Sequence, residues 1–285
     1  PDVTCDFSGV SITQQGEHRV HVEGARGIAP GPQYKVTSTY VDGFRCTAQL
    51  TIVGFDAAKK ARRTAEAILA RTREIFSQQG LADYTRTNIE TLGSESANYG
   101  PHSRHADVRE AVMRLAVTHT QKAALEIFAR EIAPAGTSWS PGTTGADGRP
   151  KPTPSIRQFA FLVDKAKLAP RVLLGERPID VRVPQGQAAV PPADAPGQDR
   201  PAHSGETIEV PLIRAAWARS GDKGDISNIG VIARRPEWLP HLRSQLTQAR
   251  VRDWLGHLVQ GTVTRYDLPG IHAMNFVCTQ ALDGG

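Results

Sequence analysis

The side chains best suited to chemistry are concentrated in one short stretch of this 285-residue chain. Seven consecutive residues supply two carboxylates, an ammonium group, a guanidinium group, a hydroxyl and two glycines: Arg219, Ser220, Gly221, Asp222, Lys223, Gly224 and Asp225. The glycines allow positive φ or a close approach of the backbone to a ligand. Backbone amides beside them, together with the two cations, could bind an anion. Either aspartate could act as a general base or as a ligand for Mg²⁺. The alternative is a structural turn or interface element whose charges pair with one another.

Two predicted strands must position this charged segment. An apolar strand over 207–217 ends at Trp217, and a second strand begins near Asn228. The charged residues would then form the turn between the strands, and short loops on rigid scaffolds commonly display binding and catalytic groups. The predicted catalytic residues are Asp222, Lys223 and Asp225, and the predicted substrate-binding residues are Arg219, Ser220, Gly221, Gly224, Asn228 and His272.

Histidines provide further candidates. His272 opens a predicted strand over 271–281 and could act as an acid or base near physiological pH. The alternative is a structural histidine at the domain edge whose hydrogen bonds are satisfied there. His102 and His105 stand three residues apart and could meet on one helix face to bind a metal. A Gly-Pro pair just before them favours a turn or the start of a helix, and no third ligand is indicated. We therefore predict no metal site.

A long Gly/Ser/Thr-rich loop over 135–148 follows a predicted helix. A loop of this length inside a domain is typically either functional or disordered, and Trp139 within it favours contact with a ligand or partner. The loop lacks the phosphate-binding pattern that leads into a helix. Elsewhere, no Gly-x-Gly-x-x-Gly follows a strand, and no nucleophile elbow or catalytic triad can be assembled. The sequence therefore identifies no cofactor.

Composition restricts the function classes. The net charge of +5 is spread along the chain and is not accompanied by a zinc-finger or RNA-binding motif. No apolar run approaches the ~18 residues of a membrane span. We therefore expect neither a nucleic acid nor a membrane as partner, and a small anionic metabolite is favoured. Three scattered cysteines, Cys5, Cys46 and Cys278, and the lack of a secretory signal predict a cytoplasmic protein.

The first part of the chain combines predicted strands with two amphipathic helices. The clearest pattern is a β-hairpin over 34–52 that turns at Asp42-Gly43, a pair suited to a type I′ turn. A helix capped by Asp56 follows, with apolar residues at helical spacing, and a second helix ends before Pro134. Further strands are predicted over 3–12, 18–23, 85–91, 111–118 and 157–164.

The rest of the chain divides at a segment of unusual composition. Residues 184–205 are rich in Pro, Gly and Ala, which predicts an extended linker. After it, 206–285 combine four predicted strands with helical segments over 237–248 and 250–259 and fit a small two-layer sandwich. The predicted fold class is α+β, with antiparallel or mixed sheets covered by helices on one face. The predicted domains are therefore 1–183 and 206–285, joined by the linker.

The charged segment and the strand after it, Arg219–Arg234, resemble the C-terminal signature of the acyclic terpene utilisation family typified by AtuA. Similar segments upstream are Asp2–Ser8, Tyr34–Val36 with Asp42–Phe44, and the loop 136–148. The resemblance covers essentially the whole chain. It implies a ferredoxin-like C-terminal domain. Members of this family carry a further large N-terminal region, so the chain is similar to their second half.

The resemblance also implies a setting among enzymes that break down branched acyclic terpenoids through CoA thioesters, with no catalytic residues assigned. Our leading hypothesis is an enzyme, or part of one, that handles a branched or isoprenoid acyl-CoA or its free acid. Arg219 and Lys223 would hold an anion at the 219–228 turn, and one aspartate would move a proton beside the carbonyl. The site would be shared with the absent N-terminal region or with a second copy in a homo-oligomer. The alternative is a non-catalytic module that assembles the pathway enzymes, with this turn as an interface element.

Overall fold

The computed structural model describes residues 3–105, 107–145, 148–188 and 208–283. The chain has an α+β fold built on antiparallel sheets, as predicted. It divides into two compact units, one made of Ser38–Phe159 and the other of 1–37 with 160–285. Within the described ranges, no helix combines the length and apolar character needed to cross a bilayer.

Short strands fill the beginning of the chain. They are β1 (Thr4–Asp6), β2 (Ser11–Gly16), β3 (Arg19–Glu23) and β4 (Arg26–Ile28), paired β1 with β4 and β2 with β3. The predicted strand over 18–23 is confirmed. The predicted strand over 3–12 is interrupted, because the Val10 amide donates to the Phe7 carbonyl in a turn.

The predicted hairpin turn at Asp42-Gly43 is wrong, since both flanking segments belong to one strand, β5 (Gln33–Val53). Gly43 does have a positive φ of 70°. It uses this conformation to approach another strand, where a Cβ would come within 2.7 Å of the His119 carbonyl oxygen. The Asp42 carboxylate pairs with Arg157 at 2.6 Å. The Asp-Gly pair therefore serves a close contact within a sheet, and the chain does not reverse there.

A five-stranded sheet with two long helices forms the centre of the Ser38–Phe159 unit. The elements after β5 are α1 (Ala57–Gln78), β6 (Arg86–Leu92), α2 (Ser96–Tyr99), β7 (Glu110–His119), α3 (Lys122–Ser138), β8 (Thr143–Thr144) and β9 (Thr153–Asp164). The strand order is β6-β7-β5-β8, and β9 also pairs with β5. Alternate residues of β5 and β7 are buried against α1 and α3. The apolar positions predicted for the first helix are buried as well: Ala61, Ala65, Ile68, Leu69 and Phe76.

Both long helices differ from prediction at one end. Asp56 precedes α1 as expected, but its φ is 55° and its carboxylate accepts from Lys59 rather than from a helix amide. The prediction that the second helix ends before Pro134 is wrong, because α3 continues to Ser138. Pro134 lacks the N–H of one helical hydrogen bond, yet the helix continues through it and buries the next residue, Ala135, in the core.

The remaining elements form a hairpin and a compact C-terminal sheet. They are β10 (Arg171–Leu174), β11 (Arg177–Asp180), α4 (Leu212–Ala215), β12 (Ala216–Lys223), β13 (Ile226–Ala233), α5 (Leu239–Gln245), α6 (Gln248–Leu255), β14 (Val263–Leu268) and β15 (Ala273–Cys278). The C-terminal sheet has the order β12-β13-β15-β14, and all its pairs are antiparallel. Its core of Met274, Phe276 and neighbours lies against α5 and α6. The predicted linker falls largely outside the described residues, so the division into 1–183 and 206–285 stays a prediction.

Candidate functional site

The charged segment lies mostly in strand rather than in a turn. The prediction that a strand ends at Trp217 is wrong, because Trp217 is the second residue of β12, which runs on to Lys223. Lys223 pairs with Ile226, so the connection is a two-residue loop, Gly224-Asp225. Gly224 has a φ of 58°. Glycine at the first position of a two-residue hairpin loop fits a type II′ turn, whose twist matches that of the flanking strands.

The strand geometry divides the predicted site residues between two faces of the sheet. Side chains alternate along a strand, and Ala216 is buried in the core beside α5 and α6. Arg219 and Lys223 therefore project from the opposite side of the sheet, which we call the outer face. Ser220 and Asp222 project toward the helix side. The structure thus places the predicted cations together and separates them from Asp222.

The acidic residue of the loop has a structural role in the hairpin. The Asp225 carboxylate accepts the Leu282 amide at 3.0 Å, and the Asp225 carbonyl accepts the Ala281 amide at the same distance. Asp225 therefore fastens the end of the chain to the hairpin. The Lys223 ammonium donates to the carbonyl oxygen of Asp222 at 2.8 Å. An ion pair between the lysine and either aspartate is not found among the described residues.

Asn228 lies on the outer face beside the two cations. Its amide donates to the side-chain oxygen of Asn275 at 3.2 Å, a diagonal contact between β13 and β15. Gly221 lies opposite Asn228 in the neighbouring strand, and a Cβ there would come within 3.0 Å of the Asn228 side-chain oxygen. The glycine is therefore the reason that the asparagine amide can lie flat beside β12.

Aromatic residues border this polar centre of the outer face. The Arg234 guanidinium lies 4.5 Å from the Trp217 ring centroid and donates to the Ile213 carbonyl at 2.8 Å. One row across the sheet consists of Arg219, Gly230, Asn275 and Tyr266. Trp217 and Tyr266 are each 53% exposed. The outer face thus has short side chains, those of glycine and asparagine, at its centre. Longer cationic and aromatic side chains surround them.

His272 lies far from the hairpin loop. It precedes β15 with a φ of 51°, is exposed, and its carbonyl accepts the Ala233 amide. Cys278, at the other end of β15, is the residue that pairs with Ser227 near the loop. About six residues at ~3.3 Å each therefore separate His272 from the loop, a distance of roughly 20 Å. The structure does not bring His272 together with the charged segment.

The two histidines of the predicted pair lie at a short turn. His102 ends a 3₁₀ turn that begins at Gly100, and His105 lies 3.6 Å from the Glu95 carboxylate. In the described ranges, no three His, Cys, Asp or Glu side chains are grouped so that they could hold a metal ion.

Sequence reasoning missed a cavity of about 480 Å³ beside the Gly/Ser/Thr-rich loop. Part of the predicted loop is the last turn of α3, and a further part forms β8 against β5. Arg130 and Arg149 line the cavity together with apolar residues of α3. The loop composition was a signal for this site, but isolated arginines on a helix and a loop gave none. Trp139 directly follows the last residue of α3 and is not among the residues that line the cavity.

Two family models match the chain. The model described as acyclic terpene utilisation family protein AtuA matches residues 1–174, which is more than half of the chain. The model described as AtuA ferredoxin-like domain matches residues 210–285. No curated protein and no solved structure matches. The predicted resemblance and the predicted ferredoxin-like domain are therefore confirmed.

Proposed function

The chain belongs to the acyclic terpene utilisation AtuA family, and on that premise we propose that it acts on a branched isoprenoid acid or its CoA thioester. The family membership gives the role in acyclic terpene utilisation. We assign anion binding to the outer face of the C-terminal sheet. The acid–base roles predicted for Asp222 and Asp225 are not included, since Asp222 projects from the other face and Asp225 fastens the chain end.

One observation carries this proposal: Arg219 and Lys223 project from the same face of one strand with only Gly221 between them on that face. Their Cα atoms are about 13 Å apart for four residues of strand. Neither cation has a carboxylate partner among the described residues. An extended ligand with several anionic oxygens, such as the phosphates of CoA, fits two separated cations better than a single carboxylate does.

The neighbouring residues supply the other contacts that such a ligand needs. Trp217 and Tyr266 offer exposed aromatic surfaces for stacking. Asn228 keeps its side-chain oxygen available beside Gly221, and Asn275 keeps its amide hydrogens, since their shared hydrogen bond uses the other groups. A planar base with donor and acceptor edges could be recognised by this pair.

A titration with free CoA, a branched acyl-CoA and the corresponding free acid tests the proposal. Arg219→Ala and Lys223→Ala should each weaken binding of both CoA compounds about tenfold. Lys122→Ala, which removes an exposed lysine from the start of α3, is the matched control and should leave binding unchanged. A ligand at a hundred times its Kd stabilises the fold by ~2.7 kcal/mol, so thermal shift provides a second readout. Equal CoA binding by the wild type and both hairpin variants would contradict the proposal.

A second candidate, a non-catalytic module that associates with a second copy or with another pathway enzyme, is favoured by the exposed apolar residues of the outer face. Ile226, Ile232 and Leu268 are exposed there alongside the aromatic residues. In that case Ile232→Asp should change the oligomeric state measured by sedimentation, and CoA should cause no thermal shift. An unchanged sedimentation coefficient in that variant would exclude association with a second copy through this face.

A further inference from the structure

We propose that the exposed edge of β10 pairs with β10 of a second copy of this chain, so that two hairpins join into one four-stranded antiparallel sheet. Each hairpin consists of β10 and β11, paired antiparallel. This pairing uses different elements from the proposed CoA site and does not depend on it. Three properties of the hairpin support it: poor burial, a difference between its two edges, and a self-complementary sequence.

The hairpin is poorly buried. Every residue of β10 and β11 is exposed, so neither face of the ribbon is covered. Within the described ranges, no other helix or strand makes more than a marginal contact with it. Val172, Leu173, Leu174 and Ile179 are each 41–71% exposed. A two-stranded ribbon is only marginally stable in water, and further strands or a helix must pack against it to stabilise it. The exposed aliphatic residues therefore favour a partner.

The hydrogen-bond pattern shows which backbone groups of β10 point away from β11. The Val181 amide donates to the Pro170 carbonyl at 3.2 Å, which makes these two residues a hydrogen-bonded pair. Hydrogen-bonded and non-hydrogen-bonded pairs alternate along antiparallel strands. Arg171 and Leu173 therefore belong to non-hydrogen-bonded pairs of the hairpin. Their amide and carbonyl groups point to the outer edge of β10.

The two edges of the hairpin differ in their capacity to accept a further strand. On β11 the outward residues are Pro178 and Asp180, the partners of Leu173 and Arg171. Proline has no N–H, so the β11 edge lacks one of its donors. On β10 both outward residues carry a donor and an acceptor. A row of such groups is a template for another strand. We therefore place the partner on the β10 edge.

The sequence of β10 is suited to pairing with itself. A two-fold axis at Val172 would place this residue opposite its own copy and Arg171 opposite Leu173 of the second copy. These two residues would then exchange backbone hydrogen bonds on both sides of the axis. No like charges would lie directly opposite each other, because the arginine faces an aliphatic side chain. Ile179 pairs with Val172 inside the hairpin, so a row of β-branched residues would cross all the strands, which is a stabilising arrangement.

The dimer should be weak and concentration-dependent. A standard stable interface buries roughly 800 Å² per partner, and pairing along a strand of four residues reaches only part of that area. The proposed register also separates two neighbouring positions of one face. Val172 would lie directly opposite its copy, whereas the two copies of Leu174 would be displaced by about 13 Å along the strands.

Disulfide trapping of the full chain tests this register. A Cys5→Ser background removes the exposed cysteine. In that background, Val172→Cys should form a disulfide-linked dimer on mild oxidation, because directly opposed residues of a non-hydrogen-bonded pair have Cα atoms about 4.5 Å apart, within reach of a disulfide. Leu174→Cys is the matched control. Although Leu174 is more exposed than Val172, it should give at least about tenfold less linked dimer, since a disulfide cannot bridge the displaced positions.

Sedimentation equilibrium gives a second measurement that does not depend on oxidation. The wild type should dimerise reversibly, and Val172→Lys should raise the Kd of the dimer by at least about tenfold, because two ammonium groups would then face each other. Val22→Lys, the same substitution at a 60% exposed valine of β3, is the control and should leave the Kd unchanged.

Any one of three results would overturn the proposed pairing. These are a wild type that stays monomeric at every concentration, equal disulfide yields from the two cysteine variants, and an unchanged Kd in Val172→Lys. A different partner on the β10 edge, such as an extended peptide, would give the first of these results. Should Val172→Lys disturb the hairpin, the cysteine pair still decides the question, because Val172→Cys is a small change at a half-exposed residue.

Discussion

The central sheet and the C-terminal sheet are both covered by helices on one face, yet they offer a ligand different surfaces. In the central unit, the end of α3 and the loop after it line an open cavity of about 480 Å³ that includes two arginines. In the C-terminal sheet, the uncovered outer face carries cations, glycines and asparagines on an open surface. The first surface is a concavity with two arginines at its rim, and the second is an open face with two separated cations.

The difference shows that a dense cluster of charged residues in a sequence marks a surface and does not define a cavity. Charges remain solvated unless they are paired, because removing a charge from water is costly. The residues between Arg219 and Asp225 therefore stay at the edge of their sheet. The apolar residues of the cavity carry no such mark, since they have the same composition as the core beside them.

Removal of one aromatic ring from each core should separate the two surfaces most strongly. Phe76 in the central core and Phe276 in the C-terminal core are each 1% exposed. Truncation of such a residue to alanine costs about 3–5 kcal/mol. Phe76→Ala should destabilise the central unit and spare CoA binding, whereas Phe276→Ala should destabilise the C-terminal core and weaken CoA binding. Urea unfolding gives the stability change, and calorimetry gives the affinity for CoA.

The control for this pair is Phe7→Ala, since Phe7 is exposed and its truncation should be nearly neutral. Loss of CoA binding from Phe76→Ala, with the C-terminal core still folded, would contradict this expectation.

Burial patterns were predictable from the sequence wherever a periodic run faces a single core. The apolar spacing of α1 and the alternation in β7 both led to the right elements, because one face of each is buried. Hairpin turns were not predictable from dipeptides alone. Asp42-Gly43 has the ideal turn chemistry but stays in β5, because Gly43 is needed for a close contact with His119.

The candidate sites were likewise predictable only in part. Arg219 and Lys223 could be assigned to one site from their proximity in sequence, but the face of each residue depended on where β12 ends. Because β12 continues to Lys223 and side-chain direction alternates residue by residue, Asp222 lies on the face opposite Arg219 and Lys223. The cavity could not be predicted, because it depends on α3 passing through Pro134 and on long-range pairing of β8 with β5.

Alkaline pH should weaken the central core, where burial raises the pKa of the Cys46 thiol from an ordinary 9.0 to about 11, with a smaller contribution from the Glu126 carboxylate. The unfolded thiol loses its proton from about pH 9, while the folded thiol keeps it until about pH 11. Stability should therefore be complete below pH 9 and fall by about 1–2 kcal/mol as the pH rises through this window. Burial also raises the pKa of Tyr84 in the same core, which adds to the loss.

Urea unfolding at pH 8 and at pH 10.5 measures this alkaline loss. Cys46→Ala should reduce the difference between the two pH values. Cys5→Ala, at an exposed cysteine, should leave the difference unchanged. An equal pH effect in the wild type and Cys46→Ala would refute the role of this thiol.

Replacement of the two hairpin aspartates should distinguish a structural carboxylate from a solvated one. Asp225→Ala removes the acceptor for the Leu282 amide and should cost about 1–2 kcal/mol. Asp225→Asn should restore most of that stability, because an amide oxygen can still accept the bond. Asp222→Ala, at an exposed residue, should change stability by less than about 0.5 kcal/mol. Similar losses at both positions, measured by urea unfolding, would show that the hairpin depends on charge rather than on this bond.

The smallest expected effects on the free energy of unfolding come from replacing one glycine with alanine in each region. The two changes should have opposite signs. In Gly221→Ala, the new Cβ would lie 3.0 Å from the Asn228 side-chain oxygen, so the amide must shift and its bond to Asn275 weakens. We expect a loss of about 0.5–1 kcal/mol.

In Gly136→Ala, the new Cβ meets Leu50 at 3.7 Å, and the helix α3 gains a better helix former. We expect a gain of about 0.5–1 kcal/mol. Chemical unfolding of both variants measures the signs, and a stabilising Gly221→Ala would show that the asparagine pair is not held as the structure indicates.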